Sequence, residues 1–138
     1  MLELAVAGER AFCIDPIERD LPGPGYSLHV IRALRKRHPQ AQFCFIIGAD
    51  NLSDMENWYR PADIVAEIPI VAGARPGYSA ERPTWTGSRA VEFVSTDLTD
   101  VSSSEIRRRV QSGADRDELS AWVPESVADY IIREGLYR

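Results

Sequence analysis

The sequence lacks any apolar run of about 18 residues, so we predict no membrane-spanning helix and no membrane partner. It also lacks a basic segment behind Met1, where a secretory signal peptide would carry one. Positive charge is not in excess, because the net charge is -5 and the isoelectric point is near 5.0. That balance argues against a general nucleic-acid binder, although a few local arginines could still serve a nucleotide site.

Cysteine is scarce, and its two occurrences, Cys13 and Cys44, both lie in apolar runs that resemble strands. We therefore predict buried free thiols in a reducing compartment and a cytoplasmic location. Neither a C-x-x-C pair nor a Cys/His pattern with zinc-ligand spacing occurs. The sequence thus predicts no metal site held by protein side chains alone.

Segments of strand character alternate with segments of helical periodicity along all 138 residues, 44% of which are hydrophobic. This order predicts an α/β fold with a doubly wound parallel sheet in a single domain, residues 1–138. The predicted strands cover residues 11–14, 43–47, 68–72 and 91–94. The predicted helices cover residues 1–7, 27–38, 53–58, 61–66, 102–111, 118–121 and 124–134.

The stretch 43–60 is the first candidate for a functional site. Its apolar run predicts a strand covered on both faces, and Gly48 allows a tight turn at the carboxyl end of that strand. Ligands of open α/β sheets bind at this end of the strands, so Asp50 is a functional candidate by position. The alternative that Asp50 only caps the following helix stays open. Ser53 and Glu56, at capping-box spacing, place the start of that helix at Ser53.

The second candidate is the start of the helix predicted for residues 102–111. Ser102 and Glu105 have capping-box spacing, which leaves Ser103 and Ser104 in the first turn beside free backbone N–H groups. Arg107 lies on the same face as Ser103. Hydroxyl, amide and guanidinium groups together suit a phosphate. The alternative is a well-capped surface helix with solvated arginines.

Six short motifs, in order and at matching spacing, resemble the nicotinate mononucleotide adenylyltransferases of the nucleotidylyltransferase superfamily. The resemblance covers nearly all of the chain, and it favours nicotinate over a pantetheine phosphate as substrate. The motifs that carry it are Met1-Leu2-Glu3-Leu4-Ala5, Gly25-Tyr26-Ser27, Ile47-Gly48-Ala49-Asp50-Asn51-Leu52 with Trp58-Tyr59, Ala74-Arg75-Pro76-Gly77-Tyr78, Val101-Ser102-Ser103-Ser104-Glu105-Ile106-Arg107, and Gly135-Leu136-Tyr137.

The resemblance implies a Rossmann-like nucleotidylyltransferase fold and the transfer of an adenylyl group from ATP to nicotinate mononucleotide, assisted by Mg²⁺. It implies two sets of site residues. The substrate-binding set is Tyr26, Ser27, Gly48, Ala49, Asp50, Trp58, Tyr59 and Arg75, with Trp58 stacked on the nicotinate ring. The set that holds the ATP phosphates is Ser103, Ser104 and Arg107, of which Ser103 and Arg107 would be catalytic. For Trp58, the alternative of packing in the core stays open.

One departure from the family pattern stands out. The family's early H-x-G-H motif, which binds the ATP phosphates, is absent from this sequence, whose two histidines are His29 and His38. We expect both to be helix residues without a catalytic role. We interpret the chain as truncated at its N-terminus, with the sheet lacking its first strands and catalysis impaired. A naturally short chain, covered by a partner or as a homo-oligomer, is the alternative, and a non-catalytic nucleotide-binding module is the alternative function.

Overall fold

Three strands form an open parallel sheet in the part of the chain that the structure describes. They are β1 (Phe45–Gly48), β2 (Ile70–Gly73) and β3 (Val91–Val94), and their spatial order is β1-β2-β3. Phe45 pairs with Ile70, which in turn pairs with Val91, so all three strands run in register from the same end. The connection from β1 to β2 contains two α-helices, and the described part of the connection from β2 to β3 contains a 3₁₀ turn. The predicted α/β fold with a parallel sheet is therefore confirmed.

The computed structural model describes residues 1–74, 77–78, 81–87, 91–95 and 101–138. The chain divides into two compact units, one formed by Pro16–Leu98 and the other by Met1–Asp15 together with Thr99–Arg138. Within the described ranges, no helix combines the length and the apolar character needed to cross a membrane. A single domain over residues 1–138 stays a prediction.

The first helix of the chain, α1 (Leu2–Ala5), belongs to the other unit. In its described part, the unit Pro16–Leu98 contains the sheet and the helices α2 (Ser27–Arg37), α3 (Ala49–Asp54) and α4 (Pro61–Glu67). The apolar faces of these helices and the sheet share one core. Its buried side chains are Leu28, Ile31, Leu52, Met55, Ile64, Val65, Ile68, Ile70 and Ala72. Short 3₁₀ turns at Ile17–Asp20, Met55–Asn57 and Thr84–Thr86 complete the unit.

The strand β1 differs from its prediction in position and in burial. It covers Phe45–Gly48 rather than residues 43–47, and Ile46 exposes 72% of its surface. Phe45 and Ile47 pack against the core, whereas Ile46 points to the other face, because successive side chains of a strand alternate. The expectation of a strand covered on both faces was therefore wrong for β1, which is at an edge of the described sheet.

The helix after β1 begins earlier than predicted. α3 starts at Ala49, directly after Gly48, whose extended backbone (φ −76°, ψ 154°) serves as the N-cap. Ser53 lies inside the helix, where its hydroxyl donates to the Ala49 carbonyl at 2.9 Å. The capping box predicted from Ser53 and Glu56 was wrong, since the helix begins at Ala49 and Ser53 is one of its internal residues.

The predicted strand at residues 11–14 is also absent: the described chain forms no strand there. Cys13 is exposed, and so is Cys44, which lies one residue before β1 and outside its ladder. The prediction of two buried thiols was therefore wrong, because it required both cysteines to lie in covered strands and neither of them lies in a strand. Apolar runs this short do not by themselves distinguish a strand from an irregular segment.

The unit of Met1–Asp15 and Thr99–Arg138 is helical in its described part. It contains α1 (Leu2–Ala5), α5 (Ser103–Gln111), α6 (Arg116–Ser120) and α7 (Glu125–Arg133). The helices predicted for the C-terminal third are thus confirmed, and every end agrees within two residues. Gly113, with φ of +91°, takes the left-handed conformation behind α5 that only glycine adopts without strain. The core of this unit consists of Val110, Leu119, Val127, Ala128 and Ile131.

Helices α2 and α4 are joined by an ionic cluster around Glu67. The Arg32 guanidinium donates from Nε to Glu67 Oε1 at 2.8 Å, and Arg35 Nη1 lies 3.8 Å from Glu67 Oε2. The hydrogen bond from Arg32 is the main cause that holds the pKa of Glu67 below its ordinary range, with the charges of Arg32 and Arg35 adding to it. The cluster therefore stabilises the folded chain only while Glu67 is ionised.

We expect Glu67→Gln to lower the melting temperature by about 2 to 4 °C at pH 7. A carboxyl whose folded pKa is lowered contributes fully above its unfolded pKa of about 4.3 and loses that contribution as pH falls through the folded value. The difference between the variant and the native chain should therefore shrink below about pH 4. Thermal unfolding at pH 3 to 7 tests this, with Glu56→Gln as the control on an exposed carboxylate. A pH-independent difference would contradict the ionic origin.

Candidate functional site

A cavity of about 320 Å³ in the unit Pro16–Leu98 brings together four of the residues predicted to bind the substrate. They are Tyr26 and Ser27, at the start of α2, and Trp58 and Tyr59, which follow the 3₁₀ turn Met55–Asn57. The two pairs are more than 30 positions apart in the sequence, so the fold is what unites them. Gly25, Asn57 and Ile64 complete the lining, which makes the cavity aromatic with a few polar groups.

Trp58 has two roles in this arrangement. Its ring meets the ring of Phe45 edge to face, with 6.3 Å between the ring centroids and 64° between the planes, and it packs against the core. The same side chain is only half-buried and lines the cavity. Core packing and access to a ligand are therefore not alternatives for Trp58, because one part of the indole anchors the ring while another faces the cavity.

Tyr26 and Tyr59 form a stacked pair that sequence reasoning missed. Their ring centroids are 4.3 Å apart and their planes differ by 12°. The His29 ring meets both tyrosine rings edge-on, and its centroid lies 5.7 Å from that of Tyr26 and 5.5 Å from that of Tyr59. The spacing of Tyr26 and His29, three residues apart at the start of a helix, indicated that these two could meet. Nothing in the sequence indicated that Tyr59 would join them.

Gly48, Ala49 and Asp50 lie where the sequence placed them, at the carboxyl end of β1. Ala49 is buried, and Asp50 is half-buried in the first turn of α3, where a negative charge suits the helix dipole. Because Gly48 is the N-cap, Asp50 does not occupy the capping position. These three residues do not line the 320 Å³ cavity. Arg75, the remaining residue of the predicted substrate-binding set, is outside the described residues.

The start of α5, in the other unit, confirms Ser102 as the N-cap, whereas the Glu105 carboxylate of the predicted capping box pairs with Arg108 and Arg109. Ser102 Oγ accepts a hydrogen bond from the backbone N–H of Glu105 at 3.1 Å. Ser103 and Ser104 follow in the first turn with exposed side chains. Arg107 Nη2 donates to Ser104 Oγ at 3.2 Å, so this hydroxyl and this guanidinium do converge at the helix terminus. The arrangement places donor groups side by side, as a phosphate requires.

The three consecutive arginines of α5 have different surroundings. Arg108 pairs with Glu105, and Arg109 pairs with both Glu105 and Glu118 at 2.9 and 3.0 Å. The Arg109 guanidinium also lies 4.1 Å from the centre of the Trp122 ring, a cation–π contact that sequence reasoning missed. Among the described residues, Arg107 has no carboxylate partner. Its charge is the one left available for an anion.

Metal-binding side chains are not clustered in the described part of the chain, where no three His, Cys, Asp or Glu side chains could together hold an ion. The groups at the start of α5 are hydroxyls, amides and a guanidinium, which bind phosphate oxygens rather than a cation. They fit a divalent metal only as one carried by the phosphates of a nucleotide. His29 and His38 lie on α2 and at its C-cap, as expected.

The sequence matches the family model described as cytidylyltransferase-like over residues 1–109. The protein of Geobacillus thermodenitrificans named "Probable nicotinate-nucleotide adenylyltransferase" is 42% identical over 137 residues, which are 99% of this chain and 60% of the relative. A protein of the same name from Thermus thermophilus is 36% identical over 138 residues, covering 100% of this chain and 70% of the relative. The chain thus spans about 60% of the length of the first of these relatives.

Among solved structures, the chain resembles nicotinic acid mononucleotide adenylyltransferase of Plasmodium falciparum in its complex with APC. The TM-score is 0.68 at 20% sequence identity, and the match covers 81% of this chain and 58% of the other. The complex of the same enzyme with NaAD matches at the same TM-score of 0.68. This likeness supports a Rossmann-like nucleotidyltransferase fold. Together with the family model and the relatives, it shows that the chain belongs to the cytidylyltransferase-like family, alongside proteins named nicotinate-nucleotide adenylyltransferase.

Proposed function

We propose that this chain carries the mononucleotide-binding and phosphate-binding residues of an enzyme that transfers an adenylyl group from ATP to nicotinate mononucleotide. The observation that carries the proposal is the aromatic cavity of Tyr26, Ser27, Trp58 and Tyr59, in a chain whose relatives are named for this reaction. A flat aromatic ring is the kind of ligand that an indole and a tyrosine pair can bind by stacking.

In this reaction, a phosphate oxygen of nicotinate mononucleotide attacks the α-phosphorus of ATP. The bond between the α-phosphorus and the bridging oxygen breaks, pyrophosphate leaves with the electron pair, and deamido-NAD forms. Such a transfer needs positioning and charge stabilisation more than covalent chemistry by the protein. A divalent metal ion such as Mg²⁺, brought in with ATP, would supply charge neutralisation.

Within this proposal, each group of residues has a separate task. Trp58 stacks on the nicotinate ring, while Tyr26, Ser27 and Tyr59 shape the remainder of its cavity. Gly48, Ala49 and Asp50 line the nucleotide pocket at the carboxyl end of β1, where ligands of parallel sheets bind. Arg75 orients the acidic mononucleotide. Ser103, Ser104 and Arg107 hold the ATP phosphates, and the proximity of Arg107 Nη2 to Ser104 Oγ, at 3.2 Å, supports this role.

A non-catalytic nucleotide-binding module is the second candidate function. The observation that favours it is the absence of an H-x-G-H motif around His29 or His38, because that motif is expected to hold the ATP phosphates during the reaction. Both candidates predict that the chain binds nicotinate mononucleotide. They differ in turnover.

The test combines calorimetric titration of the 138-residue chain with nicotinate mononucleotide and an assay for deamido-NAD formed from ATP, Mg²⁺ and the mononucleotide. Saturable binding with turnover would support the transferase, and robust turnover would show that the H-x-G-H motif is dispensable. Binding without turnover would support the nucleotide-binding module. Absence of binding would overturn both and favour an interaction domain without a ligand. A parallel titration with the amide form, nicotinamide mononucleotide, decides between the two mononucleotides.

A further inference from the structure

His29 occupies a central position in the aromatic cluster beside the 320 Å³ cavity. It is half-buried on α2. The plane of its ring makes an angle of 74° with the ring plane of Tyr26 and of 72° with that of Tyr59, so it lies edge-on to both. Edge-to-face contacts at such distances are favourable because the positive ring edge meets the negative ring face. The backbone fixes His29 relative to one of these tyrosines, since its N–H donates to the Tyr26 carbonyl at 2.9 Å.

Tyr59, by contrast, belongs to a different segment and needs separate support. It is 41% exposed, and its successor Arg60 has φ of +52°, a left-handed conformation that is unfavourable for a non-glycine residue. Arg60 forms an ion pair with Asp63, in the first turn of α4, and Arg32 Nη2 lies 3.6 Å from the same carboxylate. Ionic contacts thus connect α2 to the segment behind Tyr59, while the aromatic contacts hold the Tyr59 ring itself.

We propose that His29 is a positioning residue for the ring-binding cavity: its imidazole keeps Tyr26 and Tyr59 stacked and so fixes one wall of that cavity. The inference rests on the proposed function for the identity of the ligand, a mononucleotide with a planar acidic ring. Without the edge contact from His29, Tyr26 is the remaining aromatic ring in contact with Tyr59 among the described residues. His29 need not contact the ligand, and it does not line the cavity.

The experiment compares His29→Leu with His29→Phe. Leucine fills similar space without an aromatic edge, whereas phenylalanine restores that edge. We expect His29→Leu to weaken the binding of nicotinate mononucleotide by about three- to tenfold, with ATP binding and the melting temperature little changed. His29→Phe should restore affinity to within about twofold of the native chain. The matched control is His38→Leu. The His38 ring also has an aromatic neighbour, with 6.5 Å between its centroid and that of Phe43, but His38 is not part of the cavity lining or of the tyrosine cluster.

Ring signals of Tyr26 and Tyr59 in NMR spectra without ligand provide a readout that does not depend on the proposed function. Stacked rings shift each other's proton signals, and we expect this shift to be lost in His29→Leu and kept in His29→Phe. If His29→Leu keeps both the shift and the affinity, or His29→Phe restores neither, the positioning role is overturned. If the native chain binds no mononucleotide while His29→Leu still loses the shift, the proposed function fails and the role of His29 in the tyrosine pair stands. Should His29→Leu unfold, His29→Gln replaces it, with the same expected losses.

Discussion

Replacing Trp58 by alanine is expected to weaken the binding of nicotinate mononucleotide by about tenfold to a hundredfold, the effect of losing one ring-stacking contact. The indole is half-buried and lines the cavity, and its contact with Phe45 holds it in place before a ligand arrives. A ring anchored in this way binds a planar ligand with little additional loss of side-chain entropy. Calorimetric titration of both chains measures the ratio of the two dissociation constants.

The controls for this substitution separate binding from folding. Trp58→Ala also removes packing from the core, so its melting temperature should fall. Trp85→Ala removes a second tryptophan that packs against the same core but does not line the cavity. Trp85→Ala should lower the melting temperature without changing the dissociation constant for nicotinate mononucleotide. Equal affinities for the native chain and Trp58→Ala would contradict the assignment of Trp58 as the stacking residue.

The second large effect is expected at Arg107. We expect Arg107→Ala to weaken the binding of ATP by about tenfold to a hundredfold, because a hydrogen bond between charged groups is worth about 1.5 to 3 kcal/mol. Of the three consecutive arginines, Arg107 is the one without a carboxylate partner among the described residues, and its guanidinium already contacts Ser104. Titration with Mg·ATP, repeated at two salt concentrations, measures the loss and its electrostatic part.

The neighbouring arginine provides the matched control. Arg108 is on the same helix and is exposed, but its guanidinium is already paired with Glu105 at 2.7 Å. Arg108→Ala removes the same charge from the chain, so a long-range effect of net charge would appear equally in both variants. We expect its affinity for ATP to stay within about twofold of the native chain. Equal losses in the two variants would indicate that α5 has no specific phosphate site.

The parts of the fold that could be predicted are those specified by local chemistry. The cap at Ser102 depends on residues within one helical turn, and the structure confirms it. The helix predicted to start at residue 61 does start there, because Pro61 suits the first helical position. The strand predicted for residues 91–94 is also confirmed. Its β-branched and aromatic side chains are of the types that favour a half-buried strand.

The failures concern features that depend on distant residues. Whether the side chain of Ile46 is covered depends on what packs on its face of the sheet, and the local sequence does not contain that information. The cysteine prediction failed with the strands on which it depended. The start of α3 was placed at Ser53 because a capping box is a strong local signal, but Gly48 began the helix four residues earlier.

The candidate site shows the same division. The motifs identified Trp58, Tyr59, Tyr26 and Ser27, yet the stacking of Tyr26 on Tyr59 joins segments that are far apart in the sequence. Arg109 was missed for a similar reason, because its partners Glu118 and Trp122 belong to the segment after α5. Motifs identify residue types along the chain, whereas pairings across the fold follow from tertiary packing.

The most direct test of the central claim uses the fluorescence of Trp58 alone. The chain has 3 tryptophans, so Trp85→Phe and Trp122→Phe together leave Trp58 as the sole indole. We predict saturable quenching by nicotinate mononucleotide, with the dissociation constant that calorimetry gives, and no quenching by ribose 5-phosphate, which lacks the ring. Calorimetric saturation without any change in Trp58 fluorescence would contradict the account, because the ligand would then bind away from the aromatic cavity.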